Sequence, residues 1–389
     1  MLALLRACGI DTPMMTPVEI FAGVESFIIR IPYKQILSDS RRSHGRSSDS
    51  QTSLFVRVRG RGGQEGWGEV GVSPQRDGLG AAQMTETIDR ILAPAVIGTE
   101  VGNFALMHRQ MDAAITGHQR LKAAIETAAY DLMGKALGVP VWKLVGGKIH
   151  DAIPILGWVM ASTAEEYSQK AKAYVDSGFD TLKVKVGFGP EKDEEIVRAV
   201  RSAVGDKTVL RVDANCIYSR DEALQSLKRL ERYNIFHYED PIAGADLEGM
   251  AWLRQRVSVR LMADESCITA EDLIRVIRAQ AADIVKLSVQ VNGGIYKTSQ
   301  MLRIAEAAGI PATLGHSGSL TTGALAEIHA AASAPNLLRP CEFVGLLKSS
   351  DDVVREPLDL SRIKLSVPDR PGLGSEIDPD KFKKYRLAP

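Results

Sequence analysis

Along the first fifth of the chain, apolar residues alternate with polar ones. Val18, Ile20, Phe21 and Val24 begin the pattern, Phe27-Ile28-Ile29 continue it, and Leu54-Phe55-Val56-Arg57-Val58 repeat it. Period two predicts strands, and Gly60, Gly62, Gly63 and Gly66 ahead of Trp67-Gly68-Glu69-Val70 predict a turn. The segment from Pro17 to about Val72 therefore reads as an antiparallel three-stranded meander. Between its strands, residues 38–48 are small and polar, a composition that suits a solvated loop and, functionally, a mobile lid.

From about residue 82 to 137 the period becomes helical, with apolar residues three and four apart over 87–92, 104–115 and 121–137. Gly138-Val139-Pro140 stops the last helix and Gly146-Gly147 breaks the chain again, so an α+β module ends there. Beyond it come short apolar runs, each followed by a charged helical stretch: 153–159, 182–186, 209–214, 236–239, 261–263, 284–288, 312–314 and 338–343. Eight strands in β-helix-β alternation have the rhythm of a (β/α)8 barrel. No GxGxxG or GxxxxGK[ST] follows the first strand, which argues against a dinucleotide or P-loop fold. The last stretch, with Pro357, Pro368, Pro371 and Gly372-Leu373-Gly374, reads as a loop-rich return segment.

Composition narrows the function. Of 389 residues, Lys+Arg number 48 and Asp+Glu 48, so no net field attracts nucleic acid or an anionic membrane. Arg41, Arg42 and Arg46 in the polar loop make only a thin basic patch. Cys8, Cys216, Cys267 and Cys341 lack CxxC spacing, which predicts neither a disulfide framework nor a zinc site but a reduced, cytoplasmic protein. No apolar run approaches the roughly 18 residues of a membrane helix, and residues 1–16 read as a flexible tail.

In a barrel, chemistry sits at the C-terminal ends of the strands. The second strand ends Lys183-Val184-Lys185, two lysines that share a face, and like charges side by side are expected to depress the pKa of one of them toward that of a base. The next three strands end in Asp213, Glu239 and Asp264, spaced 26 and 25 residues apart, one β/α unit each. Three inward carboxylates at one level need a cation, and hard oxygen donors suit Mg²⁺, with Mn²⁺ the other ion such a set accepts. Lys286, on the sixth strand, falls across the barrel from Lys185. A metal with a basic group on each side is the arrangement that removes a proton α to a carboxylate. Asn215 and Glu265, beside these strand ends, and Glu342, on the eighth strand, are candidates for contacting substrate or steadying a lysine. Asp283 and Lys286 lie three apart and point to opposite faces of an ideal strand, so only one of them faces the site, and Lys286 is favoured; His316, at the end of the seventh strand, reads as a hydrogen-bonded residue in the wall of the site.

With these residues the chain resembles the enolase superfamily, in its mandelate racemase and muconate-lactonizing branch. The likeness extends to Ala124-Ile125-Glu126-Thr127-Ala128-Ala129-Tyr130-Asp131-Leu132 before Gly146-Gly147, and to Val367-Pro368-Asp369-Arg370-Pro371-Gly372-Leu373-Gly374 near the end. The resemblance implies an α/β fold: an N-terminal α+β capping domain (17–147, joined by the return segment 346–389) over a modified TIM barrel, (β/α)7β (148–345). It implies Asp213, Glu239 and Asp264 as Mg²⁺ ligands, with Lys185 (Lys183 beside it) and Lys286 as acid/base groups on opposite faces of a small carboxylate substrate. The Ala-Asp-Glu-Ser run at 263–266 with Lys286 is similar to the muconate cycloisomerase subgroup, which implies lactonization in a catabolic setting. A racemase or epimerase using 1,1-proton transfer is the alternative, and an acid-sugar dehydratase using Asp283 and His316 comes third. A homo-oligomer is expected, because large barrels often associate; nucleic acid and membrane partners are not.

Overall fold

The computed structural model describes residues 19–38, 47–315, 318–360 and 363–387, so residues 1–16, Arg41, Arg42, Arg46 and His316 lie outside the described residues. Strands β1 (Phe21–Ser38), β2 (Ser47–Gly60) and β3 (Glu65–Gly71) form an antiparallel sheet in that order, the meander that the alternation predicts. Phe27 stands opposite Phe55, and Val56 opposite Gly68. Leu54, Val56, Val58 and Val70 face a core shared with the helices α1 (Phe104–Ala114) and α2 (Gln119–Leu137), where they meet Leu121, Ala124, Ile125 and Ala128. Gly66 lies within β3 rather than in the turn before it, and the reason is steric. A Cβ at Gly66 or Gly68 would stand 2.0 or 2.1 Å from the carbonyl oxygen of Ala128 or Ala124, so the two glycines let α2 lie directly on the sheet.

The second half alternates strand and helix. β4 (Ala152–Pro154) and β5 (Gly157–Val159) precede α3 (Ala164–Asp176), then β6 (Thr181–Lys185), α4 (Pro190–Val204), β7 (Val209–Asp213) and α5 (Arg220–Leu230). β8 (Ile235–Glu239), α6 (Leu247–Arg254), β9 (Arg260–Ala263), α7 (Ala270–Ala279), β10 (Ile284–Leu287), α8 (Ile295–Ala307), β11 (Ala312–Leu314) and α9 (Thr321–Ala332) follow. Seven strands, β5 to β11, form one curled parallel sheet in sequential order.

Two of the expected strands take a different form. The first is divided: β4 pairs antiparallel with β12 (Lys364–Ser366) of the return segment, and only β5 joins the barrel. The eighth, 338–343, is not a continuous strand. It closes the ring through single parallel bridges, Ile155 to Cys341 on one side and Gly315 to Glu342 on the other. Pro340 has no N–H to give to a ladder, which limits pairing there. After it, the short helix α10 (Val344–Lys348) leads toward the C-terminal helix α11 (Pro379–Tyr385).

Carboxylates of the N-terminal half hold it to the barrel. Glu69 accepts N–H groups of Leu320 (2.7 Å) and Gly323 (2.8 Å) at the start of α9, and Glu126 those of Ile295 and Tyr296 (both 2.6 Å) at the start of α8. Asp131 accepts the N–H groups of Leu373 (2.8 Å) and Trp67 (2.9 Å). Helix N-termini offer unpaired N–H groups and a positive dipole end, so anions placed there satisfy both. The N-terminal sheet is thereby set over the C-terminal ends of the barrel strands.

Candidate active site

Ladder register sorts the inward side chains of the barrel into two layers. Lys183, Arg211 and His237 are mutual neighbours across β6, β7 and β8, and two residues further on Lys185, Asp213 and Glu239 are neighbours in turn. Cα partners in a parallel pair share a face, and a step of two returns to it. The upper layer is thus one lysine and two carboxylates side by side, and beneath it lie Lys183, Arg211 and His237, the last with a pKa that burial holds well below the usual histidine value. Asp264 follows the end of β9 by one residue, and Lys286 rises from β10.

These groups touch. Lys183 Nζ lies 3.0 Å from Asp213, 2.5 Å from Glu239 and 2.8 Å from Glu342. Lys286 Nζ lies 3.2 Å from Glu239, 3.3 Å from Asp264 and 2.9 Å from Glu342. Lys185 pairs with Asp213 and donates to Asn215 Oδ1 at 2.8 Å. Glu342 therefore links the lysines of two opposite walls, which assigns it a contact to amines. Asp213 and Glu239 are 0% exposed, Lys183 2% and Lys286 7%, so these charges are screened by one another rather than by water.

Burial by itself would lower the lysine pKa values, but the surrounding carboxylates reverse that: Lys183 and Lys286 are both raised above the ordinary lysine range. Lys183 is therefore not the depressed member of the lysine pair, because its nearest charges are acidic. Burial would likewise raise Asp213 and Glu342, yet the ammonium groups hold both carboxyls below their usual values. Glu239 is different: burial, together with the charge of Asp213, pushes it up to about 8. Negative charge at Glu239 is under-compensated by the amines alone. All donors here are carboxylate oxygens, so Asp213, Glu239 and Asp264 suit a hard divalent ion such as Mg²⁺. Their oxygens do not all converge within 4.8 Å, since lysine ammonium groups stand between them.

A tighter trio lies one step away. Cys216, Asp240 and Glu265 are, among the described residues, the group of three whose ligand atoms fall within 4.8 Å of one another. Its chemistry is a poor match for Mg²⁺: burial and the adjacent acids raise the Cys216 thiol, and Glu265 already pairs with Arg76 at 2.5 Å. Asp240 instead organises the loop, accepting the N–H groups of Asp264 and of Glu265 (2.8 Å).

Asp283 does not join the site. It precedes β10 at the opposite end from the acidic mouth, where it pairs with Arg254 at 2.6 Å and accepts the Leu261 N–H at 2.9 Å. Asp283 is thus held away from the acidic strand ends, while His316, the other member of the pair expected for a dehydratase, lies outside the described residues. Sequence reasoning also passed over Arg76, Arg211 and His237. Arg211 and His237 could have been found by stepping back two residues from Asp213 and Glu239. Arg76 carried no such signal, since it comes from a different half of the chain.

Among the described residues, no helix is long and apolar enough to cross a membrane. Residues 166–381 match the enolase C-terminal domain-like family, and residues 40–146 the N-terminal domain of mandelate racemase / muconate lactonizing enzyme. The chain is 30% identical over 366 residues to the N-succinyl-L-Arg/Lys racemase of Bacillus cereus, covering 94% of this chain and 97% of that one. Among solved structures, the muconate lactonizing enzyme of Pseudomonas fluorescens, complexed with muconolactone, superposes with a TM-score of 0.90 at 29% identity over 95% of this chain and all (100%) of that one. The dipeptide epimerase of Cytophaga hutchinsonii, complexed with Mg and D-Ala-L-Val, gives 0.88 at 29% identity over 94% and 98%. Fold, acidic strand ends and these likenesses converge: the chain belongs to the mandelate racemase / muconate lactonizing enzyme family of the enolase superfamily, and it is an enzyme.

Proposed function

We propose that this protein transfers a proton at the carbon α to the carboxylate of a small substrate, with Lys185 and Lys286 acting on opposite faces and Asp213, Glu239 and Asp264 holding Mg²⁺. The observation that carries the reading is that two lysines, four strands apart in the ring, reach one buried acidic cluster: Lys185 at Asp213, and Lys286 at Glu239 and Asp264. When bound there, Mg²⁺ would supply positive charge to the substrate carboxylate and share the carboxylate charge that otherwise keeps the lysines protonated. Lys185 takes the proton from one face and Lys286 returns one to the other, each positioned by its strand. Lys183, in the layer below, stays charged and steadies Asp213, Glu239 and Glu342. Asn215 fixes the Lys185 side chain.

A two-sided arrangement of this kind fits 1,1-proton transfer, that is, racemization or epimerization. Cycloisomerization of a muconate-like diacid is the second reading, supported by the likeness to the muconate lactonizing enzyme. The two share their acid/base groups and differ in what the remote half of the substrate does. The proposal covers a cytoplasmic homo-oligomer, with residues 17–147 and 346–389 as the cap and 148–345 as the catalytic barrel.

The test is incorporation of deuterium from D₂O at the α-carbon across a panel of carboxylates, with Mg²⁺ added or chelated. Exchange should require the ion, and Lys185→Ala and Lys286→Ala should each suppress it for opposite enantiomers. Exchange that survives chelation, or that neither substitution alters, refutes the assignment.

A further inference from the structure

The two lysines are fastened differently. At the end of β6, the carbonyl of Lys185 accepts the hydroxyl of Tyr167 from α3 at 3.0 Å, a bond made within the barrel. The end of β10, two residues beyond Lys286, is tied to other elements: Ser288 Oγ donates to Glu327 of α9 at 2.7 Å, and the Ser288 N–H to Asn292 Oδ1 at 2.6 Å. Gln290, in the turn that follows, accepts the N–H of Gly71 at the end of β3 with its Oε1 at 2.8 Å. The loop behind Lys286 is therefore bonded to the N-terminal sheet, across 219 residues of sequence.

Helix α9 closes the circuit. Gly323 and Glu327 are four residues apart and share one helix face. Gly323 gives its N–H to Glu69 of β3, and a Cβ on it would stand 3.2 Å from Glu69 Oε2 and 3.4 Å from Gln290 Nε2, so cap carboxylate and barrel amide meet over this glycine. A Cβ on Gly71 would stand 2.1 Å from the Gly318 carbonyl oxygen, so the end of β3 is also seated directly on the loop before α9. Glu327 is 0% exposed on a helix buried along its whole length, where an apolar side chain would cost less: burial pushes its carboxyl up to about 7, although the Ser288 hydroxyl pulls it down. Packing does not account for an acid at that position; the bond to Ser288 does.

We propose that Glu327 and Gln290 are positioning residues for Lys286. Through the turn 288–290 they hold the end of β10 in register with the N-terminal sheet, so proton transfer on the Lys286 face depends on how the cap is seated, and transfer on the Lys185 face does not. A misplacement of about 1 Å can cost on the order of 10²-fold in rate, and a residue two positions further along the same strand is a short lever on a lysine. The proposal rests on the two-face reading for its chemistry, while the coupling of cap to strand is a property of the fold and is measured separately.

The experiment compares the whole chain, supplemented with Mg²⁺, as wild type, Gln290→Ala, Glu327→Leu, Glu327→Gln and Lys286→Ala. Amide hydrogen exchange comes first: Gln290→Ala should speed it about tenfold or more both at the end of β3 and over residues 284–290, and leave β6 unchanged. Release of β3 alone overturns the coupling. Incorporation of α-deuterium from D₂O is then followed for each enantiomer of N-acetyl and N-succinyl amino acids. Gln290→Ala and Glu327→Leu should lower kcat about tenfold on the face that Lys286→Ala silences and less than about twofold on the other, with KM within about twofold. Glu327→Gln keeps an oxygen for Ser288 and should restore the lost rate. Equal losses on both faces, or none in a variant that circular dichroism shows to be folded, overturn the proposal and leave the two-face reading intact; Gln290→Ala, in a loop, carries the test should Glu327→Leu fail to fold. If Lys286→Ala shows no preference for a face, the two-face reading falls, and amide exchange alone decides the coupling.

Discussion

Two sets of buried carboxylates do opposite things in this molecule. Glu69, Glu126 and Asp131 are answered mainly by backbone N–H groups, at the starts of α9 and α8 and at Leu373. Asp213, Glu239, Asp264 and Glu342 are answered by lysine side chains. The backbone donors of Glu69 and Glu126 cannot leave without unfolding the starts of α9 and α8, so these two fasten one half of the chain to the other, while Asp131, which also pairs with Lys135 at 2.6 Å, holds the return segment at Leu373. An ammonium on a flexible stem can move, lose its proton or share its partner with another cation, so the second set is suited to chemistry. Burial alone does not distinguish them; the identity of the counter-group does.

The largest expected effect follows from removing a charge of the second set. Asp213→Asn should lower turnover on the order of 10³-fold or more while the protein remains folded, checked by exchange rate and circular dichroism together. A variant that keeps full activity would break the contrast outright. Next, Lys185→Ala or Lys286→Ala should cost about 10²-fold or more in exchange on one face of the substrate, resolved by following each enantiomer separately. Equal losses on both faces would mean that the lysines act as a unit.

The first set should respond in stability instead. Glu126→Ala removes the acceptor of two N–H groups, one of them fully buried, and should destabilise the fold by about 2–4 kcal/mol in denaturant titration, with modest change in kcat at temperatures where the variant is folded. A selective loss of activity without loss of stability would erase the distinction drawn here. The smallest effect concerns Glu69. Burial raises its pKa from 4.5 to about 7, against the pull of its N–H donors. Between those values the folded state binds the proton that the unfolded state has released, so stability should fall as pH rises from about 4.5 to about 7. Glu69→Gln should flatten that part of a melting-temperature profile; an unchanged slope would assign it to other groups.

Much of this was legible from residue order. Alternation predicted the meander, and the β/α repeat placed Lys183, Lys185, Asp213, Glu239, Asp264 and Lys286 at barrel strand ends, because a period of two and a recurrent unit length are local properties. The divided first strand was not legible, since β4 is drawn to β12 from more than 200 residues away. Nor was the role of Gly66, which depends on how closely α2 lies against β3. The raised Lys183 pKa and the exclusion of Asp283 from the site were equally out of reach. Each depends on which charges stand within a few ångströms, and the sequence lists charges without distances.

By itself the sequence determined which side chains face the barrel interior and in what order they occur around the ring, because strand periodicity and unit spacing are written along the chain. Only the tertiary structure decided what each charge is balanced against: a peptide N–H at a helix start, an amine across the barrel, or an arginine from the N-terminal half. Electrostatic energy depends on separation and on exclusion of water, and both arise only when distant segments close around the same small volume.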